Sequence, residues 1–426
     1  MNFAEPGTSW CWIAGSPPLP DIVVTDPAVN VSAVHGASDP RRPPRILFVP
    51  VSGPYGMGEY ARSVAIARAA SRHWQGAAIH FVLSREAPYA ADAPFPATLL
   101  TSSPTFHSAA VIELLGKWRP DVVIFDNAGR TAQLRAARRL GARVVYISAR
   151  RRQRRKAFRW QWMRLIDEHW IAYPEFIAGR LGFFERLKLR MVGRPVVRYL
   201  DVILSRADSG QRGAVLSRTG CVAGTFVLVV PGGGTGHPGA EDAVGQFMAA
   251  ARALATRGVA TVFVGPTGER ARDAGAAGAG ERDASERDAG AGDSGERDAV
   301  GAPNLHFMGP LPQADLADLM RFARLIVTNG GSTLLQGIAC GKACIAAPIA
   351  KDQIERTRRC VAAGVAATAA LDAASIVEAA HGLLQHEPQR AALAGRAAGL
   401  ELADGIDVAI RALTDLIEPA QRAARP

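Results

Sequence analysis

The sequence predicts an α/β protein of two Rossmann-like domains in tandem, facing each other across a cleft. Three observations carry that expectation. Short apolar strands alternate with helices, which implies right-handed βαβ units and parallel sheets. The alternation begins at RILFVPVSG (45–53) and restarts at TFVLVVPGGG (225–234), with a boundary near 200–222. Hydrophobic residues make up 48% of the 426 residues and aromatics only 7%, while glycine numbers 43. That balance suits small-residue helix packing on a sheet better than an aromatic-rich sandwich.

Residues 1–44 are rich in Pro, Gly and Ser and lack periodicity, so a disordered leader is expected there, ending at PRRPP. The first α/β domain is expected over 45–205. Its opening strand, RILFVPVSG, runs into a Gly-rich turn, and EYARSVAIARAASRH (59–73) has helical apolar spacing. AIHFVLS (78–84) is a second strand, HSAAVIELLGKWRP (107–120) a helix ended by Pro, and DVVIFDN (121–127) a strand ending in an acid. RTAQLRAARRLG (130–141) is a helix closed by Gly, followed by the strand ARVVYIS (142–148). HWIAYPEF (169–176) resembles a short strand with its exit loop.

The second domain is expected over 222–400. A helix (241–257) and the strand ATVFVGP (260–266) follow its first strand. NLHFMGP (304–310), a helix from Asp315, RLIVTNGG (324–331), a helix (332–340), KACIAAP (342–348) and a helix from Asp352 complete the alternation. Residues 269–300 repeat ERDA-like units between Gly and Ser, cannot bury a core, and predict a disordered surface insertion. A C-terminal helix and tail are expected over 401–426.

Composition excludes several classes. Five cysteines in no zinc-like spacing argue against a disulfide framework or a zinc site. No run reaches the 18 apolar residues of a spanning helix, and the first residues lack a secretory pattern, so a cytoplasmic protein is expected. The formal charge of +11 favours anionic partners, although no nucleic-acid module is visible. Arg150, Arg151, Arg152, Arg154, Arg155 and Lys156 form a basic run with Trp160 and Trp162 just after it. It reads either as a solvated loop or as a peripheral contact with an anionic membrane at its inner, cytoplasmic face.

Four motifs bear chemistry. SGPYGMGEYAR brings Gly56 and Gly58 to a strand–helix turn, where backbone N–H groups can meet an anion. It is not GxGxxG, which disfavours a dinucleotide-dependent dehydrogenase. Glu59, in the first helical turn, reads either as a complement to the helix dipole or as a general base. Asp126 ends its strand at the sheet edge where ligands bind, and reads either as a loop cap or as an orienting acid. PGGGTGHPGAED (231–242) offers Gly233, Gly234 and Thr235 as an anion nest. VTNGGSTLLQGIACGKACIAAPIAKDQIERTRRC (327–360) brings Gly330, Gly331, Ser332 and Thr333 to a helix N-terminus, with Gln336 inside that helix and Asp352–Gln353 after the next strand.

This ordered set resembles the donor-binding half of GT-B glycosyltransferases. Residues 225–365 are similar to glycosyltransferase family 28 and to the UDP-sugar transferases. The resemblance implies Gly330, Ser332 and Thr333 at the phosphates, Gln336 at the ribose, and Asp352 and Gln353 at the donor sugar. Gln336 stands where these enzymes usually carry Glu, and Thr328 where they carry a signature His. YGMGEYARSVAIA has the shape of the turn that opens their first domain, with Glu59 where many carry His. That turn also resembles the nucleotide-sugar hydrolase of pseudaminic acid synthesis. The implied activity is metal-independent transfer of a hexosyl group from a nucleotide-diphosphate sugar, UDP type foremost, to a hydroxyl of a glycan or lipid-linked acceptor in cell-envelope synthesis. No cofactor and no metal are implied. The alternatives are a nucleotide-sugar hydrolase and a non-catalytic binding protein.

Overall fold

The computed structural model describes residues 23–24, 42–53, 57–205, 213–232, 242–265 and 303–423. The expected insertion at 269–300 and most of the expected leader lie outside these residues.

The first sheet has eight strands in the order β1-β4-β3-β2-β5-β6-β7-β8. They are β1 (Val23–Val24), β2 (Arg45–Pro50), β3 (Ala78–Ser84), β4 (Ala97–Leu100), β5 (Val122–Asp126), β6 (Arg143–Ser148), β7 (Glu168–Ile171) and β8 (Val196–Tyr199). All pair in parallel except β1, which adds to β4 antiparallel. The two-residue strand β1 falls within the expected leader. The second sheet has six parallel strands in the order β11-β10-β9-β12-β13-β14. They are β9 (Val227–Val230), β10 (Thr261–Val264), β11 (Leu305–Met308), β12 (Leu325–Thr328), β13 (Cys344–Ala346) and β14 (Ala367–Thr368).

Each sheet is covered on both faces, as parallel sheets require. The strand period of two explains how one apolar run serves both sides. In β2, Ile46 and Phe48 enter one core while Leu47 and Val49 enter the other. In β9, Leu228 and Val230 face one side and Val227 and Val229 the opposite one. The cysteines among the described residues are all free. Among these residues no helix is long and apolar enough to cross a membrane.

The chain crosses between the sheets twice, and the two crossings touch. Val202 bridges Asp404, and Gly405 N donates to Val202 O at 2.8 Å. A Cβ on Gly405 would lie 2.2 Å from the Leu200 carbonyl oxygen, so the close approach demands glycine. The final helix, Gly405–Ala423, then returns to the first sheet. Its Ala409, Ala412, Leu413 and Ile417 join Ile66, Ala67 and Ala70 of the helix Gly58–His73 in one core.

One buried group makes this first core pH-sensitive. His169, on β7, is wholly buried with Ser148 Oγ 2.8 Å from Nε2. Burial, with Arg154 adding to it, pushes the imidazole down from 6.5 to about 3. The unfolded chain therefore takes up a proton that the folded chain refuses. Stability is full above pH 6.5 and falls as pH drops toward 3, by up to about 1.4 kcal/mol per pH unit from this group. Urea melts across the acid range should show a shallower decline for His169→Gln. Equal slopes in the two proteins would remove His169 as the cause.

Candidate active site

The two sheets meet at a cavity lined from both sides. Gly58, Ala61 and Arg62 enter from the helix after β2, and Ser332, Leu335 and Gln336 from the helix Ser332–Ala339 after β12. The interdomain segment, including Tyr173 and Ile203, closes it. Both helices begin without a side-chain cap, at Met57 and at Gly331. The first residues of both helices, Gly58 and Ser332, therefore line one cavity. The positive ends of the two helix dipoles lie beside it.

On the first-domain side, Glu59 is held by Asn127, whose Nδ2 donates to Glu59 Oε1 at 2.7 Å. Asn127 sits just past the carboxyl end of β5 with φ 52°, a left-handed conformation that Asn tolerates better than most residues. Its Oδ1 accepts from Ala149 N at 2.8 Å, tying the two strand ends together. Glu59 itself is half-buried and stands one residue from the cavity-lining Gly58.

The structure does not bring Asp126 to Glu59 as an orienting partner. Asp126 is wholly buried, and Arg62 grips it in a two-pronged ion pair, with Nε to Oδ2 at 2.9 Å and Nη2 to Oδ1 at 2.7 Å. Ser63 Oγ adds a longer bond to Oδ2 at 3.4 Å. The physical reason is spacing: Arg62 lies one helical turn after Glu59 and points at the strand end, leaving Asn127 to reach Glu59. Burial opposes both charges. For Arg62, Asp126 outweighs burial and holds the guanidinium above its ordinary pKa. Burial raises the Asp126 carboxyl to about 6 against the pull of Arg62, so the pair remains ionised at neutral pH.

On the second-domain side, the turn Asn329–Gly330–Gly331 precedes the Ser332 helix. Asn329 braces it, its Nδ2 donating to Pro231 O at 2.7 Å and its Oδ1 accepting from Gly331 N at 2.8 Å. Ser332 is exposed and Thr333 half-buried at the helix start. Gln336, expected at a ribose, lines the cavity, and its Nε2 donates to Ile203 O at 2.9 Å. Gln353 is buried, its Oε1 accepting from Ile349 N at 3.0 Å, so its amide oxygen serves the entry to the helix Lys351–Ala362. Asp352 is exposed and 3.4 Å from Arg356 Nη2. Gly56, Gly233, Gly234 and Thr235 lie outside the described residues. Thr328 ends β12 fully buried, its hydroxyl without a hydrogen-bond partner among the described residues.

Arg356 was not among the site residues expected from the motifs. Only 6% exposed, it donates from Nη1 to Gly330 O at 2.6 Å and from Nη2 to Tyr173 Oη at 3.1 Å. Its guanidinium also lies 4.5 Å from the centroid of the Tyr173 ring, a cation–π contact. It thus fastens the glycine turn of the second sheet to the segment leaving the first. Its signal in the sequence was position: four residues after Asp352, on the same helix face.

Gly330 is fixed by what surrounds it. An added Cβ would lie 2.4 Å from Thr357 Oγ1 and 2.8 Å from the Gln353 carbonyl oxygen. The hydroxyl can rotate; the carbonyl belongs to a helix and cannot give easily. Gly330→Ala should destabilise the fold by about 1–3 kcal/mol, the usual cost of overpacking, as read by denaturant melts. Unchanged stability would mean that this turn is less tightly packed than the geometry says.

The fold is shared with solved structures. CalG4, the calicheamicin glycosyltransferase, is similar with a TM-score of 0.56 at 16% identity, over 90% of this chain and 100% of that one. Spinosyn rhamnosyltransferase SpnG complexed with spinosyn aglycone gives 0.55 at 15% identity, over 87% and 99%. This chain has the GT-B fold. A co-structure of S. aureus MnaA with UDP gives 0.53 at 12% identity, over 87% and 96%. No family model and no curated protein matches the chain. The likeness to GT-B enzymes is therefore one of fold, and function must be argued from the cleft itself.

Proposed function

We propose that this GT-B cleft transfers a glycosyl group from a nucleotide-diphosphate sugar to a hydroxyl acceptor. The observation that carries the reading is the cavity into which both uncapped helix N-termini open. Such ends attract a diphosphate and stabilise it as it leaves. The co-structure of a fold relative with UDP and the complex of another with an aglycone support a donor and an acceptor in one cleft.

In the proposed step, Glu59 takes the proton of the acceptor hydroxyl. The acceptor oxygen then attacks the anomeric carbon. The bond from that carbon to the diphosphate breaks, and its electron pair stays on the departing phosphate oxygen. Direct displacement inverts the anomeric centre. Arg62 lines the same cavity with its charge met by Asp126, and Arg356 braces the Gly330 turn, so stabilisation of the departing diphosphate rests on the two helix N-termini. We propose a UDP-linked hexose as donor and a glycan or lipid-linked acceptor of the cell envelope.

Mass spectrometry of reactions with UDP-hexoses and sugar or lipid-linked acceptors tests the reading. Free UDP together with a glycosylated acceptor is the expected product pair. Free UDP with free hexose alone would instead make the chain a nucleotide-sugar hydrolase. Intact donor under all conditions would overturn both.

A further inference from the structure

The basic run at 150–156 does not present all its charges to solvent. Arg154 is buried, donating from Nε and Nη2 to Glu185 at 3.1 and 2.7 Å. Lys156 donates to Gly129 O at 2.8 Å and stands 4.1 Å from the Trp162 ring centroid. Burial, reinforced by Arg130, Arg159 and Arg152, lowers its pKa to about 8. The expected patch of six cations is therefore four: Arg150, Arg151, Arg152 and Arg155, all exposed.

A neighbouring helix changes the character of that surface. Phe183–Val192 contributes no buried residue. Phe183 is 67% exposed, Phe184 74%, Leu187 41% and Met191 67%. At about 100° per residue, these four side chains fall within an arc of about 100°. Arg186 and Arg190 border one edge of the arc and Lys188 the other. The opposite face is the anchored one, through the Glu185 bonds to Arg154. Trp160, 43% exposed, lies beside Lys188, whose Nζ is 5.7 Å from its ring centroid. Arg151, Arg155 and Arg180 line the adjoining cavity.

We propose that this face docks on an anionic phospholipid bilayer. An outward apolar arc rich in Phe, with cations along both edges, is the pattern of a helix lying in the membrane interface. The charge complementarity commits the surface to acidic headgroups: the cations flank the apolar arc instead of interrupting it, and the chain as a whole carries +11. Docking stands on these residues alone and does not depend on glycosyl transfer.

Cosedimentation of the full chain with vesicles tests it. The wild type should bind phosphatidylglycerol–phosphatidylcholine vesicles, bind phosphatidylcholine vesicles far more weakly, and release as salt is raised. Phe183→Ser/Phe184→Ser and Arg186→Glu/Arg190→Glu should each weaken binding by about tenfold or more. Their melting temperatures should match the wild type, because none of these side chains is buried. Equal binding to both vesicle types, no binding, or undiminished binding by the variants would overturn the proposal. So would light scattering in which the Phe variants merely split a dimer of the chain.

Discussion

Glu59→Gln lowers the turnover number for sugar transfer by about 10²–10⁴-fold, the usual contribution of a general base. The expectation rests on the Asn127 bond: Asn127 Nδ2, 2.7 Å from Oε1, can donate to an amide oxygen as well as to a carboxylate. The substituted side chain keeps its place and loses only its ability to take a proton. UDP affinity should hold, because Glu59 does not line the cavity between the two helix starts. Asn127→Ala is the companion variant. It leaves the carboxylate but frees it to rotate, so turnover should fall by less than in Glu59→Gln. Full turnover in Glu59→Gln would end the role assigned to this residue.

Asp126→Asn acts differently: it destabilises folding by about 3–5 kcal/mol, the cost of stranding a buried charge. Arg62 is 6% exposed at its side chain and Asp126 0%, so water cannot replace the lost partner. Removing both charges together should recover much of the loss, because apolar groups of similar volume fill such sites without penalty. Denaturant melts of Asp126→Asn and of Asp126→Leu/Arg62→Met measure this. A strong loss of turnover in Asp126→Asn with unchanged stability would restore Asp126 to the chemistry and remove it from the scaffold.

These two residues also mark how far the sequence could be read. Both lie at the edge of the cleft, as the strand–turn–helix pattern indicates. Which acid the Arg62 ion pair takes up depends on side-chain direction across two elements, and spacing in one chain does not contain that. Arg62 decides the matter, and its partner is 64 residues away. The tandem α/β architecture was legible because parallel strands buried on both faces read as unbroken apolar runs, as in VLVV of β9 and VVIF of β5. The less buried edges were not: β8 and β14 are short, and β8 is half-buried apart from an exposed Val196. The helix Phe183–Val192 escaped notice for the opposite reason. Its apolar face points outward, so its periodicity marks a surface instead of a core. In the second sheet, Gly330 and Ser332 stand at the helix start that the Gly-Gly-Ser-Thr turn predicts. Gln336 and Gln353 were legible as polar residues near the cleft but not as partners of Ile203 O and Ile349 N, which are tertiary contacts.

The proposed function requires the cavity between the two helix N-termini to receive a nucleoside diphosphate. Titration calorimetry of the full chain with UDP, repeated on Gly330→Ala at a temperature where both proteins are folded, tests it most directly. The wild type should bind UDP saturably and the variant markedly more weakly, because its turn can no longer sit against Gln353 and Arg356. Equal UDP affinity in the two proteins, or no binding of UDP by the folded wild type, would contradict it.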